Sequence, residues 1–164
     1  MAEQQAEQPF VYRFKKVYLK DASFESPSAP EIFLIEWEQE VSLDYELTHA
    51  PTDEENGFYE VALVIKVAAK RRDKPTFIAE VQQAGIFQIG GIADEDVRKV
   101  LEISCANILM PFAREAVCDL VVKGGFPQLL IDPIDFQAVY EAQHGVGTGY
   151  VSDPNWRPHF TDGP

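Results

Sequence analysis

"FYEVALVIKVAAKRRDKPTFIAEVQQ", Phe58 to Gln83, holds two strands and the turn between them. Successive side chains of a strand point to opposite faces. In the first half, Tyr59, Val61, Leu63, Ile65, Val67 and Ala69 fall on one face. The other face carries Ala62, Val64 and Ala68, so this strand is apolar on both sides and reads as central in a sheet. In the second half, Phe77, Ala79 and Val81 alternate with Ile78, Glu80 and Gln82. "RRDKP" between them is a short charged hairpin tip, and such tips solubilise more often than they bind. So short a connection joins antiparallel strands.

Upstream, "IEWEQEVSLDYELT" (Ile35 to Thr48) separates in the same way. Ile35, Trp37, Val41, Leu43, Tyr45 and Leu47 share one face with Gln39; Glu36, Glu38, Glu40, Asp44 and Glu46 share the other. The spacing predicts a strand that is greasy on one side and acidic on the other. "HAPTDEENG" after it reads as a solvated loop. "FVYRFKKVYLK" (Phe10 to Lys20) reads as a first strand whose apolar set changes phase between Phe14 and Val17. A bulge near Lys15 and Lys16 restores the face. "DASFESPSAPEIF" is turn-rich.

Downstream, "AGIFQIGGI" is glycine-spaced, and a helix is expected from Asp94 to Lys123. Three acids open it, favoured by the helix dipole, and Gly124–Gly125 closes it. At 100° per residue Val97, Val100, Leu101, Ile108 and Phe112 share a face. Beyond Pro111, which should bend the helix, the apolar residues Ala113, Ala116, Val117, Leu120 and Val121 move round. Two faces on one helix imply a subunit interface along it. "DPIDFQAVYEAQ" is a short second helix, capped by Asp132, with Ile134, Phe136, Val139 and Tyr140 apolar. The pattern is α+β: a four-stranded antiparallel sheet with a long, Pro-bent helix and a short helix packed on one face. Residues 1–9 read as a loose N-terminus, 10–143 as one domain, and 144–164 as a disordered tail.

Composition excludes several classes. A formal charge of −13, from 14 basic and 27 acidic residues, argues against a nucleic-acid binder. No run of about 18 apolar residues exists to insert in a membrane, and the N-terminus lacks a signal-peptide pattern, so the chain is expected in the cytosol. Cys105 and Cys118 lie 13 residues apart on one expected helix, about 20 Å along its axis, too far for a disulfide. His49, His144 and His159 have no metal-ligand spacing, and no nucleotide-binding or nucleophile motif is present. No cofactor, metal or catalytic residue is expected, and nothing marks the chain as an enzyme. The acidic strand face reads as a solvated surface or as a dock for a basic partner; catalytic carboxylates need a drier site. "GGFPQLLI", Trp37, Phe77 and the second helix, with Phe136 and Tyr140, look like the lining of an apolar groove suited to extended, non-native polypeptide.

Four motifs carry a resemblance. "YLKDASFESPSAP" (Tyr18 to Pro30), "EVQQAGIFQI" (Glu80 to Ile89), "NILMPFARE" (Asn107 to Glu115) and "GGFPQLLIDPIDF" (Gly124 to Phe136) closely resemble the SecB protein-export chaperones, in order, from about Phe10 to Tyr140. The resemblance implies a cytosolic, ATP-independent holder of unfolded secretory precursors, assembled as a homotetramer, a dimer of dimers, that delivers clients to the translocase ATPase SecA. It implies SecA contacts at Asp21, Glu25, Ile78 and Glu80. It implies client contacts at Val41, Leu43 and Tyr45, with Trp37 and Phe77. Glu36, Glu38, Glu40, Asp44 and Glu46 would extend the acidic dock. The tail beyond Gln143 does not match. A SecB-like chaperone dedicated to a toxin–antitoxin system, or a carrier of a small apolar ligand, would use the same groove.

Overall fold

The hairpin read from the sequence is the centre of the sheet. In the computed structural model, which describes residues 7–144 and the backbone of residues 159–160, β3 (Phe58–Arg71) and β4 (Lys74–Gly90) pair antiparallel from Phe58↔Gln88 to Arg71↔Lys74. Arg72 and Asp73 form the turn with φ of 48° and 65°. Positive φ at both central positions is the turn geometry whose twist suits a two-residue hairpin. β1 (Val11–Glu25) flanks β4 and β2 (Glu40–Asp53) flanks β3, giving the order β1-β4-β3-β2, antiparallel throughout.

Several strands run beyond their expected ends. β1 continues through "DASFE" because Ala22 and Phe24 keep alternating with Asp21, Ser23 and Glu25 opposite β4. β2 starts at Glu40, not Ile35, and runs through His49 and Pro51 to Asp53; Trp37 therefore lies outside it. Proline is tolerated there because β2 is an edge strand. β4 absorbs the glycine-spaced segment, which keeps Phe87 and Ile89 on the core side. The expected slip in β1 is present between Phe14 and Lys16, and a second occurs between Leu19 and Asp21. The two supernumerary residues are lysines. Lys15 stands 5.0 Å over the Phe58 ring, and Lys20 reaches Glu60 at 2.7 Å.

One side of the sheet is covered by a helical run. It comprises α1 (Asp94–Lys99), a π-helical segment (Val100–Cys105) and α2 (Ala106–Lys123). Leu101, Cys105, Leu109, Ala113, Val117 and Val121 form one buried line against Val61, Leu63, Ile65, Val67 and Val81. This corrects the two-faced reading: Val97, Val100 and Ile108 pack against the same core cluster as Ala113, Ala116, Val117, Leu120 and Val121, and of the expected residues only Phe112 turns away, 46% exposed. The π-helical segment explains the error. Its i→i+5 bonding takes more residues per turn than 3.6, so a 100° count begun at Val97 is out of phase after Cys105. Cys105 and Cys118 are free thiols. No helix among the described residues is long and apolar enough to cross a membrane.

The helix ends in a Schellman motif. The Phe126 N–H bonds the Val121 carbonyl at 3.2 Å and the Gly125 N–H bonds that of Val122 at 3.0 Å, with Gly125 at φ 89°. A β-carbon on Gly124 would overlap the Phe24 ring. β5 (Leu129–Leu130) follows and pairs with β6 (His159–Phe160) in a separate two-stranded ladder. α3 (Phe136–His144) lies between them in sequence. Its cap is Asp135, whose carboxylate accepts the Ala138 N–H at 3.0 Å, rather than Asp132. The expected loose tail lies outside the described residues apart from His144 and the backbone of β6.

Candidate functional site: two faces of one sheet

The register gathers the four expected SecA contacts. Across β1 and β4, Asp21 stands opposite Gln82, Ser23 opposite Glu80 and Glu25 opposite Ile78. Directly paired residues share a face, so Asp21, Glu25, Ile78 and Glu80 lie together on the side of the sheet away from the helix. The same rows continue into β3 and β2 as Glu80–Lys66–Asp44 and Gln82–Val64–Glu46. Asp44 and Glu46 therefore join the patch, with Lys66 among them and Ile78 and Val64 supplying apolar surface.

Of the other three carboxylates of the acidic stretch, Glu40 lies on this face by the same register and beside Ile78, whereas Glu36 and Glu38 lie before the strand. Glu40 pairs with Lys70 and Glu38 with Arg71, each at 3.7 Å. The basic hairpin thus neutralises part of the acidic segment within the chain. Glu60 is also committed internally. Lys20 bonds it at 2.7 Å and the Tyr18 hydroxyl donates to it. The Lys20 and Tyr18 hydrogen bonds hold the Glu60 carboxyl below its ordinary range. Burial, then the Glu60 bond, pushes the Tyr18 hydroxyl up to about 12.

The opposite face carries the groove. Between β1 and β2 the chain crosses the turn end of the β3–β4 hairpin. Ser28 donates to the Pro75 carbonyl at 2.6 Å, Ser26 to that of Thr76 at 3.3 Å, and the Thr76 hydroxyl to Gln39. These bonds hold a segment whose apolar side chains have little core to enter: Phe33, Ile35 and Trp37 stay 49%, 47% and 42% exposed, and Leu34 85%. Phe126, set by the Gly-Gly helix stop, is the hub. Its ring lies 4.9 Å from Phe77, 5.1 Å from Phe33, 6.0 Å from Trp37 and 6.3 Å from Phe24. Phe77 is fully buried beneath it.

Val41, Leu43 and Tyr45 follow on the same face, half-buried, opposite Ala69, Val67 and Ile65. Four residues separate Val41 from Tyr45, about 13 Å of strand. Tyr45 meets Phe136 edge to face at 6.1 Å, and with Leu47, Val139 and Tyr140 these rings line a cavity of about 140 Å³. Glu102 closes its rim and accepts His49 at 3.3 Å and His144 at 3.0 Å. His49 is thus a strand residue tied to the helix, not a loop residue. Of the expected client contacts, Phe77 and Phe136 are core residues at 0% and 2% exposure; Trp37, Val41, Leu43, Tyr45 and Tyr140 reach the surface. The sequence reading cited "GGFPQLLI" as a groove segment but did not single out Phe126; an aromatic next to a helix-stopping Gly-Gly pair was the available signal.

Among the described residues no cluster of His, Cys, Asp and Glu has the arrangement of a metal site. Cys105 is sealed in the core, and burial pushes its thiol up to about 12. The Cys118 thiol lies 2.6 Å from the Leu129 carbonyl, where burial raises its pKa.

Comparison with known proteins gives the family and the fold. Residues 3–145 match the family described as "Preprotein translocase subunit SecB". The chain is 45% identical to the protein-export protein SecB of Chromobacterium violaceum over 143 residues, covering 87% of this chain and 93% of that one. It is 45% identical over 152 residues to the same protein of Pseudomonas aeruginosa, covering 91% and 92%. It is also similar in fold to a SecB-like chaperone of Mycobacterium tuberculosis solved with a peptide from an antitoxin. That likeness has a TM-score of 0.63 at 15% identity and covers 75% of this chain and 90% of that chain.

Proposed function

The chain belongs to the SecB family of protein-export chaperones, and we propose that it divides its work between the two faces of its sheet. It is a cytoplasmic, ATP-independent holdase whose working unit is residues 10–143. Unfolded secretory precursors bind along the helix-side groove, from Trp37 beside Phe126 to Tyr45 and Tyr140, with Phe77 and Phe136 as the floor. SecA docks on the outer patch of Asp21, Glu25, Ile78 and Glu80, extended by Asp44 and Glu46. The observation that carries this reading is the register itself: the carboxylate patch and the aromatic line occupy opposite faces of one sheet. Client and motor can then be engaged at once.

A holder rather than a folder suits the energetics. Burying ~400 Å² of client apolar surface contributes about 10 kcal/mol at ~25 cal/mol/Å². Ordering ten client residues costs about the same. One segment is therefore held weakly, and retention requires several at once, where effective concentration multiplies affinity. A homotetramer, as a dimer of dimers, supplies the sites. Its support is an edge strand, β1, with an unpaired row of backbone groups, together with exposed Phe14, Leu19, Phe112 and Val122 on the helix side.

The test is aggregation of a denatured precursor, diluted with and without the protein in the absence of ATP, followed by co-elution with SecA and measurement of oligomer mass. Suppressed aggregation with SecA binding is expected. Suppression without SecA binding would transfer the reading to a chaperone dedicated to one client, such as an antitoxin. No suppression would leave only a carrier of small apolar ligands.

A further inference from the structure

β5 stands apart from the four-stranded sheet, and its two sides are unlike. On one side the Leu129 carbonyl meets the Cys118 thiol at 2.6 Å and the Ile131 carbonyl meets Arg114 at 3.5 Å, both on α2. Alternate residues of a strand turn their polar groups to opposite sides. Leu130 between them therefore presents its N–H and C=O away from α2, and its side chain is 43% exposed, whereas Leu129 is fully buried. On that outward side lies β6: Leu129 stands opposite Phe160 and Leu130 opposite His159, antiparallel. A stretch of chain far along the sequence has thus added itself as a strand, three residues beyond the groove hub Phe126.

We propose that the outward edge of β5 is a strand-addition site, that the chain's own His159–Phe160 segment occupies it in the resting protein, and that extended client polypeptide displaces that segment. This rests on the holdase reading and specifies its chemistry: the groove is recognised through side chains, and the edge beside it through the client backbone, whatever its sequence. A two-residue ladder is a weak contact. Tethered through residues 145–158 it acts at an effective concentration on the order of 1 mM. That suffices to compete with single client segments and fails against a chain held at several points.

The experiment uses the full chain, a form ending at His144, and a full chain carrying His159→Pro and Phe160→Pro, which removes both amide donors while keeping the tail. Reduced, carboxymethylated α-lactalbumin is the unfolded probe, and hydrogen exchange reports the Leu130 amide. Both altered forms are expected to bind the probe about fivefold tighter than the full chain. The Leu130 amide is expected to exchange faster in them and to slow again when probe is added. A free peptide of residues 157–164 should reverse the gain. Equal probe affinity in all three forms, or Leu130 exchange unaltered by tail removal, overturns the inference while leaving the holdase reading intact. If no form holds the probe, both fall together.

Discussion

The outer and inner faces of the sheet are built from opposite kinds of contact. On the outer face Asp21, Glu25 and Glu80 stand in paired rows with no core behind their charges, and the nearest cation in the row is Lys66. On the inner face every groove residue is also a neighbour of the core: Trp37 touches Phe126, which covers Phe77, and Tyr45 touches Phe136. The patch of Asp21, Glu25 and Glu80 can therefore change with little cost to folding, whereas the groove cannot. Substitutions that separate stability from binding test this contrast directly.

The largest effect belongs to the hub. Phe126→Ala empties the space between Phe24, Phe33, Trp37 and Phe77 and is expected to cost about 3–5 kcal/mol in urea unfolding. The protein that stays folded should lose client holding yet still bind SecA. Loss of SecA binding in the folded fraction would break the division between faces.

The reverse experiment is neutralisation of the patch. Asp21→Asn, Glu25→Gln and Glu80→Gln together are expected to weaken SecA binding about tenfold at low salt, with the deficit shrinking as salt rises. Client holding and thermal midpoint should stay near wild type, because exposed substitutions commonly move stability by less than about 0.5 kcal/mol. A smaller contrast lies within the acidic stretch. Asp44→Asn with Glu46→Gln should weaken SecA by about threefold. Glu38→Gln with Glu40→Gln should have the smaller effect, since Arg71 and Lys70 stand 3.7 Å from those carboxylates and Glu38 precedes the strand. Titration calorimetry at two salt concentrations distinguishes the pairs.

The sheet was legible in the sequence because period-two alternation is strong in β3 and β4, and the face assignment of Val41, Leu43 and Tyr45 followed from it. Where small residues stand in strand positions the signal fails. Ala22 and Ser23 read as turn, and Gly85 and Gly90 fell beyond the expected end of the fourth strand, yet the ladder runs through all four. On the helix Phe112 was placed with the core residues although it is exposed, because no propensity announces a π-helical segment and one such segment shifts the phase of a 100° count. Phe126 was not singled out because its neighbours in space, Phe24, Phe33, Trp37 and Phe77, come from three distant parts of the chain.

The smallest effect concerns the one outer-face carboxylate that serves the fold. Glu60 lies between Lys20 and Tyr18 on that face, and their hydrogen bonds lower its pKa below the ordinary 4.5. A carboxyl whose folded pKa is depressed adds stability above its unfolded pKa and loses it as pH falls through the folded value. Tyr18 has the opposite sign: raised from 10.0 to about 12, it adds stability below pH 10.0 that is lost as pH climbs toward 12. Glu60→Gln should therefore flatten both the acid and the alkaline limbs of the stability–pH curve. Because the group is partly solvated, the loss near pH 7 is expected to stay below about 1 kcal/mol. SecA affinity should not change. A Glu60→Gln protein whose SecA binding falls as far as that of the triple variant would mean that the dock extends along β3, beyond the row of Asp21, Glu25 and Glu80. Charge and fold would then no longer be separable on that face.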